Sequence, residues 1–330
     1  WKLYCQFASD VLQYRQVDTE YTVVVPDVEI LSCVCGTNDN NLKLIEDYLG
    51  IPVFTRGNEL SVNTDNDSLR EKFRYIIDRV VDELGEGSKN GTDIIASVLN
   101  IDRKADMNSV SIAVPGAVRK VYPHTQHQAE YIQSMREKNM VFCIGAAGSG
   151  KTFLAVAEAL RLLLTHKVSR IVITRPVVEA GESLGFLPGD LKDKITPYLR
   201  PLYDSMELIL PKETMKRLLE SEFIEIAPLA YMRGRTLNNS VVILDEAQNT
   251  TREQMKMFLT RMGENSKVFV TGDETQIDLP KKVPSGLKHA VSLLEGIEEI
   301  GINRLAAEDV VRNPLVQKIV KAYENEQNED

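Results

Sequence analysis

A short run near the middle of the chain constrains its fold more than any other feature. Residues 145–152 match the pattern G-x-x-x-x-G-K-[ST]. The glycines are needed because several backbone N–H groups must turn inward around phosphate oxygens, at distances that side chains would block. An apolar run, Met140–Ile144, precedes the motif, and an alanine- and leucine-rich segment, Phe153–Leu164, follows it. This order predicts a strand, a phosphate-binding loop (P-loop) and a helix.

The P-loop has the chemistry that a nucleoside triphosphate requires, so we expect such a nucleotide to bind there with Mg²⁺. Lys151 is expected to reach the β and γ phosphates, and the hydroxyl of Thr152 is expected to bind Mg²⁺. The helix that follows favours phosphate through its dipole and its orphan N–H groups. The predicted contact residues are Gly145, Ala146, Ala147, Gly148, Ser149, Gly150, Lys151 and Thr152.

Length and composition predict two domains and a reducing compartment. The chain has 330 residues, of which 43% are apolar, enough for an α/β domain and a smaller one. Its four cysteines, Cys5, Cys33, Cys35 and Cys143, have no C-x-x-C spacing, which favours neither a disulfide framework nor a zinc site. No apolar run approaches the ~20 residues that cross a bilayer. We therefore expect a cytoplasmic protein without membrane contact.

The net charge limits how this chain can bind nucleic acid. A formal charge of −9 disfavours a surface that holds phosphates everywhere, because phosphate neutralisation needs clustered Lys and Arg. Any nucleic-acid contact must therefore be local.

Periodicity divides the chain into four segments. Residues 1–20 form an unassigned extension, 21–99 a small α+β domain, 100–124 a linker and 125–330 the main domain. The small domain is predicted to contain strands at 21–25, 28–34, 52–56 and 59–62, and helices at 41–49 and 68–84. Arg56-Gly57-Asn58-Glu59 is a hairpin signal between two of those strands.

In the main domain, strand and helix patterns alternate. Strands are predicted at 140–144, 170–174, 223–226, 241–244 and 267–271, and helices at 150–165, 252–262 and 314–324. Such alternation predicts a parallel sheet with helices on both faces. The fold class is therefore α/β, with a second, smaller α+β domain.

Two further strand ends in the main domain carry acidic or amide side chains. The strand ending at Leu244 is followed by Asp245 and Glu246, the pattern of a Walker B element, in which Asp245 binds Mg²⁺ and Glu246 activates water. A charged strand terminus on the surface is the alternative interpretation. The strand 267–271 leads to Asp273 and Gln276, candidate sensors of the γ phosphate, although a plain loop would use similar residues.

Gln128 is a candidate base reader, because an amide can both donate to and accept from an adenine edge. It lies close to the predicted P-loop strand in sequence. A simple helix N-cap by Thr125 explains the same segment equally well.

Several arginines lie near the carboxyl ends of strands, where open α/β sheets bind ligands. Arg175, Arg233 and Arg235 are candidates for contacts with phosphate, a nucleic-acid backbone or nearby carboxylates, or for purely structural roles. Near the chain end, Arg304 and Arg312 are candidates for the cation that neutralises transition-state charge, supplied across a subunit interface. Arg312 is the preferred candidate, and a helix boundary is the alternative.

Taken in order, these motifs resemble the PhoH family of ATPases, in particular members with a KH-like N-terminal module. The resemblance covers residues 125–325. The matching segments are 125–128, 145–152, 173–182, 187–191, 197–204, 231–235, 244–249, 271–276 and 310–314. It implies a RecA-like ATP-binding core similar to that of superfamily 1 helicases, a cytoplasmic location and a role in RNA metabolism. It also implies a homo-oligomeric ring, with a hexamer as one form.

Two functions from different classes follow. The leading hypothesis is Mg²⁺-dependent ATP hydrolysis coupled to remodelling of single-stranded RNA or ribonucleoprotein, with Lys151, Glu246, Gln276 and Arg312 as catalytic residues. The alternative is a nucleotide-switched adaptor that recruits an RNA-processing protein without unwinding. A small-molecule kinase fits less well, because the Asp245–Glu246 pair suits activation of water. Residues 277–330 are too short for a second helicase core.

Overall fold

The computed structural model describes residues 12–17, 20–85, 91–100, 110–118, 120–176, 191–280 and 282–310, with the backbone alone at 191–198 and 307. Within these ranges the chain separates into two compact units. The first comprises the described residues within 1–111 and 122–126, and the second comprises those within 112–121 and 127–330. Residues 112–121, which belong to the predicted linker, therefore group with the larger unit.

The first unit is built on a four-stranded antiparallel sheet in the order β1-β2-β4-β3. Its strands are β1 (Gln13–Val17), β2 (Glu20–Val24), β3 (Val53–Arg56) and β4 (Glu59–Asn63). Its helices are α1 (Val28–Cys35), α2 (Asn40–Leu49), α3 (Asp67–Gly85) and α4 (Gly91–Asn100). The apolar stripe of α3 is buried, as its helical spacing predicts. The small α+β domain is thereby confirmed.

The segment predicted as a strand at 28–34 is wrong, because it forms helix α1. The Asp27 carboxylate caps this helix by accepting hydrogen bonds from the N–H groups of Glu29 and Ile30. Its buried residues, Leu31 and Val34, are three positions apart, which is helical spacing. A short apolar run does not distinguish a strand from a helix by periodicity alone.

The hairpin prediction at residues 56–59 is confirmed. Strands β3 and β4 pair antiparallel, with Arg56 opposite Glu59. Gly57 adopts a φ of 64°, a left-handed conformation that glycine tolerates without a steric penalty.

The second unit contains the predicted parallel sheet. Six strands lie in the order β10-β5-β9-β8-β6-β7. They are β5 (Met140–Ile144), β6 (Arg170–Arg175), β7 (Ile224–Pro228), β8 (Ser240–Leu244), β9 (Lys267–Gly272) and β10 (Ile300–Arg304). Every neighbouring pair is parallel, so all carboxyl ends meet at one edge. The edge strand β10 was not predicted.

Helices cover both faces of this sheet. They are α5 (Gln126–Glu137), α6 (Lys151–Leu164), α7 (Leu191–Glu207), α8 (Lys212–Glu220), α9 (Arg252–Leu259) and α10 (Gly286–Leu294). Along β5, Val141 and Cys143 join the cluster that contains α5, α6 and α7, whereas Phe142 and Ile144 join the cluster of α9 and α10. Alternate side chains therefore enter two cores, and the α/β prediction is confirmed.

Three other expectations concern the end of helix α9, a helix near the end of the chain, and membrane-spanning segments. Helix α9 ends at Leu259 rather than at Met262. The predicted helix at 314–324 lies outside the described residues. Among the residues that are described, no helix is both long and apolar enough to span a membrane.

Candidate nucleotide-binding site

The P-loop runs from the end of β5 into the first turn of α6. Gly148 and Gly150 adopt φ values of 85° and 84°, which lets the backbone curl in a way that larger residues resist. Lys151 Nζ donates to the carbonyl oxygen of Ala146 at 3.1 Å, so the lysine lies over its own loop. The loop is thus pre-formed at the N-terminus of α6, the arrangement that binds phosphate.

Asp245 follows β8 and lies directly beside the P-loop. One carboxylate oxygen, Oδ1, accepts hydrogen bonds from the hydroxyls of Thr152 at 2.7 Å and of Thr271 at 2.8 Å. Asp245 is 3% exposed, and its backbone N–H donates to Thr174 at the end of β6. The structure therefore brings together the two residues predicted to bind Mg²⁺.

Glu246 is held between two partners. Its Oε1 lies 3.2 Å from Nη2 of Arg175, and its Oε2 accepts a hydrogen bond of 2.5 Å from the side-chain amide of Gln248. Its backbone is left-handed, with a φ of 52°, a conformation that costs free energy and that often occurs at functional sites. Arg175 also approaches Asp245, at 3.9 Å, so among the alternatives for this arginine the carboxylate contacts are observed.

Strand β9 lies between β5 and β8 and brings a third acidic side chain to the site. Asp273 Oδ2 accepts a hydrogen bond from the N–H of Ala147 in the P-loop at 3.0 Å. The N–H and hydroxyl of Thr275 donate to its other oxygen, at 2.9 and 2.6 Å. Asp273 is 3% exposed, whereas Gln276 is exposed and joins this network through its backbone. The sensor role of Gln276 remains a prediction.

Gln248 is a site residue that sequence reasoning missed. It is fully buried in the turn after β8, and it contacts both Glu246 and the backbone of the sensor segment 273–276. The only signal was its place in the string Leu-Asp-Glu-Ala-Gln-Asn. A glutamine in a short polar turn has no distinguishing pattern, so the string could not reveal its contacts.

The remaining predicted residues occupy different positions. Gln128 is 3% exposed, and its Nε2 donates to the carbonyl of Ser149 at 3.0 Å, so it supports the P-loop, and base reading remains a prediction. Arg235 forms a two-fold ion pair with Glu225, at 2.6 and 2.7 Å. Arg304 lies 3.6 Å from a carboxylate of the exposed Glu295. Arg312 lies outside the described residues.

The donor set at the P-loop suits Mg²⁺. The hydroxyl of Thr152 and the carboxylate of Asp245 are hard oxygen ligands, and they are already in contact. In the described part of the chain, no group of three or more His, Cys, Asp or Glu residues could hold a metal ion by itself. Mg²⁺ is commonly bound through one or two protein ligands together with substrate phosphates and water, so these two residues fit it.

Fold and site together define a P-loop nucleotide-binding protein. The P-loop, the Asp245–Glu246 pair and Asp273 follow three adjacent strands and converge at the carboxyl edge of one parallel sheet. A single chain of hydrogen bonds and ion pairs links them. This is the class that the sequence motifs predict.

The chain belongs to the family of PhoH-like proteins, whose family model matches residues 120–324. A PhoH-like protein of Bacillus subtilis (strain 168) is 46% identical over 301 residues, which cover 88% of this chain and 93% of that protein. A PhoH-like protein of Mycobacterium bovis is 43% identical over 334 residues, covering 96% and 91%. The predicted family is thereby confirmed.

Among solved structures, a Sulfolobus solfataricus SWI2/SNF2 ATPase core in complex with dsDNA is similar to part of this chain. It is 12% identical, with a TM-score of 0.32, and the similarity covers 55% of this chain and 44% of that one. A likeness of this size is too low to inform the fold or the function.

Proposed function

We propose that this protein hydrolyses ATP and couples hydrolysis to the remodelling of RNA or ribonucleoprotein. One observation carries the hydrolytic part: Glu246 lies next to the Thr152–Asp245 pair and keeps a third of its side chain exposed. A carboxylate in that place can accept a proton from water, whereas a kinase would need an acceptor pocket there.

The chemistry follows from this arrangement. Water attacks the γ phosphorus, the bond from phosphorus to the bridging oxygen breaks, and ADP leaves with the electron pair while Glu246 takes the proton of the water. Lys151 and the N–H groups of the P-loop hold the phosphates. Thr152 and Asp245 would hold Mg²⁺, which neutralises phosphate charge when bound. Gln276 is proposed to report the presence of the γ phosphate.

Two further residues complete the proposed reaction centre and its assembly. Gln128 is proposed to read the adenine edge, since it already lies against the P-loop at Ser149. Arg312 is proposed to supply a cation to a neighbouring subunit in a homo-oligomeric ring. If so, mixing the inactive Glu246→Gln and Arg312→Ala variants should restore activity, because mixed interfaces then contain one intact site. No recovery would refute the shared site.

The RNA contact is proposed to lie at the carboxyl edge of the large sheet. Tyr231, in the turn after β7, is 54% exposed, and Arg233 beside it is also exposed. Exposed aromatic rings stack on unpaired bases, and arginine pairs with the nucleic-acid backbone. Such a local contact agrees with a net charge of −9.

The KH-like identity of the first unit is part of the proposal. Its helices α1 and α2 are joined by a tight turn in which Gly36, Asn38 and Asp39 all have positive φ. The acidic Asp39 at that turn disfavours a phosphate there, which is why we place the RNA contact on the larger unit.

The test is steady-state ATP hydrolysis by the full chain, with and without single-stranded RNA, at low and moderate salt. We expect a rate that rises with RNA and falls by a factor of about 10² or more in Glu246→Gln, the size of effect that general base catalysis gives. Glu220→Gln is the matched control, because Glu220 is exposed on α8. Slow, RNA-independent turnover with ATP still bound would favour the nucleotide-switched adaptor.

A second pair of variants tests the RNA contact. Tyr231→Ala should remove most of the stimulation by RNA and leave the rate without RNA unchanged. Phe223→Ala is its control, since Phe223 is 48% exposed but immediately precedes β7, at the opposite edge of the sheet. Equal loss of stimulation in both variants would refute this location.

A further inference from the structure

The side-chain amide of Gln248 makes three hydrogen bonds inside the protein. Its Nε2 donates to Oε2 of Glu246 at 2.5 Å and to the carbonyl of Gln276 at 3.1 Å, and its Oε1 accepts from the N–H of Asp273 at 3.0 Å. The reversed amide would set an oxygen against a carboxylate and a carbonyl. The surroundings therefore select one orientation, and the residue is 0% exposed.

These bonds continue to the P-loop. The carboxylate of Asp273 accepts from the N–H of Ala147, so an unbroken path of hydrogen bonds joins the P-loop to Glu246 through Asp273 and Gln248. A second link runs beside it, because the N–H of Gly145 donates to the carbonyl of Gly272 at 3.1 Å. The P-loop is therefore linked to Gln248 by direct contacts.

In the described part of the chain, Glu246 also contacts the charged side chain of Arg175, and the role of that contact differs. Arg175 approaches both Asp245 and Glu246, so its single positive charge offsets part of the negative charge of the two carboxylates. Gln248 contacts Glu246 but neither Asp245 nor Arg175 through the bonds described above. Of the two partners, the neutral amide is thus the one that fixes where the Glu246 carboxylate lies without changing the charge of the site.

We propose that Gln248 is a positioning residue that couples occupancy of the P-loop to the orientation of Glu246. When the terminal phosphate enters, the P-loop and the segment 273–276 shift together, and Gln248 carries the shift to the carboxylate. The proposal rests on the proposed hydrolytic function, because it describes how the same site is controlled. Gln248 acts through Glu246 and does not touch the reacting atoms.

The first test is Gln248→Glu, which has nearly the same shape. The new carboxylate still accepts from the N–H of Asp273, but it loses both donors and repels Glu246. We expect kcat to fall about tenfold or more, while the Kd of ADP, which lacks the terminal phosphate, changes by less than about threefold. A merely structural role would lower nucleotide affinity and melting temperature together with kcat.

Gln133→Glu is the matched control, since Gln133 is an exposed glutamine on α5 that also donates to a glutamate, Glu137. It should keep wild-type kcat. If the wild type hydrolyses ATP and Glu246→Gln abolishes turnover, but Gln248→Glu keeps wild-type kcat, the coupling role is refuted and the proposed function stands.

A second test needs no turnover and therefore remains decisive if the chain proves not to hydrolyse ATP. Calorimetry gives the ratio of affinities for β,γ-imido-ATP and ADP in the wild type, Gln248→Met, Asp273→Ala and the double variant. We expect each single change to lower this affinity ratio. In the double variant, the fold-decrease of the ratio should be smaller than the product of the two single fold-decreases by a factor of at least about three. Independent, multiplicative effects would overturn the coupling between Asp273 and Gln248.

Discussion

Gly272 lies where β9 meets Gln248, so its replacement by alanine tests the close packing of the site. A Cβ added there would lie 2.5 Å from Cδ2 of Leu287 and 3.0 Å from Oε1 of Gln248. Carbon atoms pack best at about 3.5–4.0 Å, so the first contact is short by about 1 Å. Leu287 is fully buried on α10, so its side chain cannot swing out into solvent to relieve the contact.

Overpacking of this kind costs about 1–3 kcal/mol. A loss of about 2 kcal/mol lowers the melting temperature of a domain of this size by roughly 4–8 °C. The same methyl group presses on the amide that holds Glu246, so the rate of ATP hydrolysis should fall as well. Thermal unfolding and steady-state hydrolysis measure the two effects separately.

The double variant Gly272→Ala/Leu287→Ala makes the test stricter. Leu287→Ala alone should cost about 2–5 kcal/mol, because it leaves a cavity. In the double variant the new methyl group has room, so the total loss of unfolding free energy should be smaller than the sum by about 1 kcal/mol or more. A melting temperature of Gly272→Ala within about 1 °C of wild type, or strictly additive losses, would refute the packing argument.

Two predictions concern ion pairs outside the nucleotide site. The hydrogen bonds from Arg235 hold the pKa of Glu225 below its usual value of 4.5. That contribution to stability is complete above pH 4.5 and is lost as pH falls through the lower folded-state pKa. In urea unfolding, Glu225→Gln should therefore cost about 1 kcal/mol at pH 7 and progressively less below pH 4.5. A penalty independent of pH would contradict this. Glu158 is 0% exposed and accepts two hydrogen bonds from Arg161, at 2.5 and 2.8 Å. Glu158→Gln should lower the unfolding free energy by about 3 kcal/mol, because it leaves a partly buried cation unpaired; a loss under about 1 kcal/mol would show that Arg161 finds other partners.

Sequence reasoning succeeded where the signal is local. The P-loop depends on consecutive backbone groups and on glycines at fixed spacing, so Gly145–Thr152 could be recognised without any tertiary knowledge. The apolar strand that ends in Asp245 and Glu246 is local in the same way. Because carboxyl ends of parallel strands share one edge, the pattern also implied that these motifs would meet.

The predictions that were wrong or stayed open share one physical cause, since each depends on contacts that the local sequence pattern does not contain. Residues 28–34 are apolar on more than one side, and only the cap from Asp27 and packing within the unit select the helix. The interpretation of Arg175 stayed open because its partners are carboxylates at the end of a different strand.

By itself, then, the sequence determined the class of fold, the P-loop and the acidic pair, since each is encoded by neighbouring residues. Only the tertiary structure decided that β9 separates β5 from β8, that Glu246 takes a left-handed backbone, and that Gln248 joins it to Asp273. Those outcomes depend on contacts between segments that are distant in sequence, and their free energy exists only once the sheet has assembled.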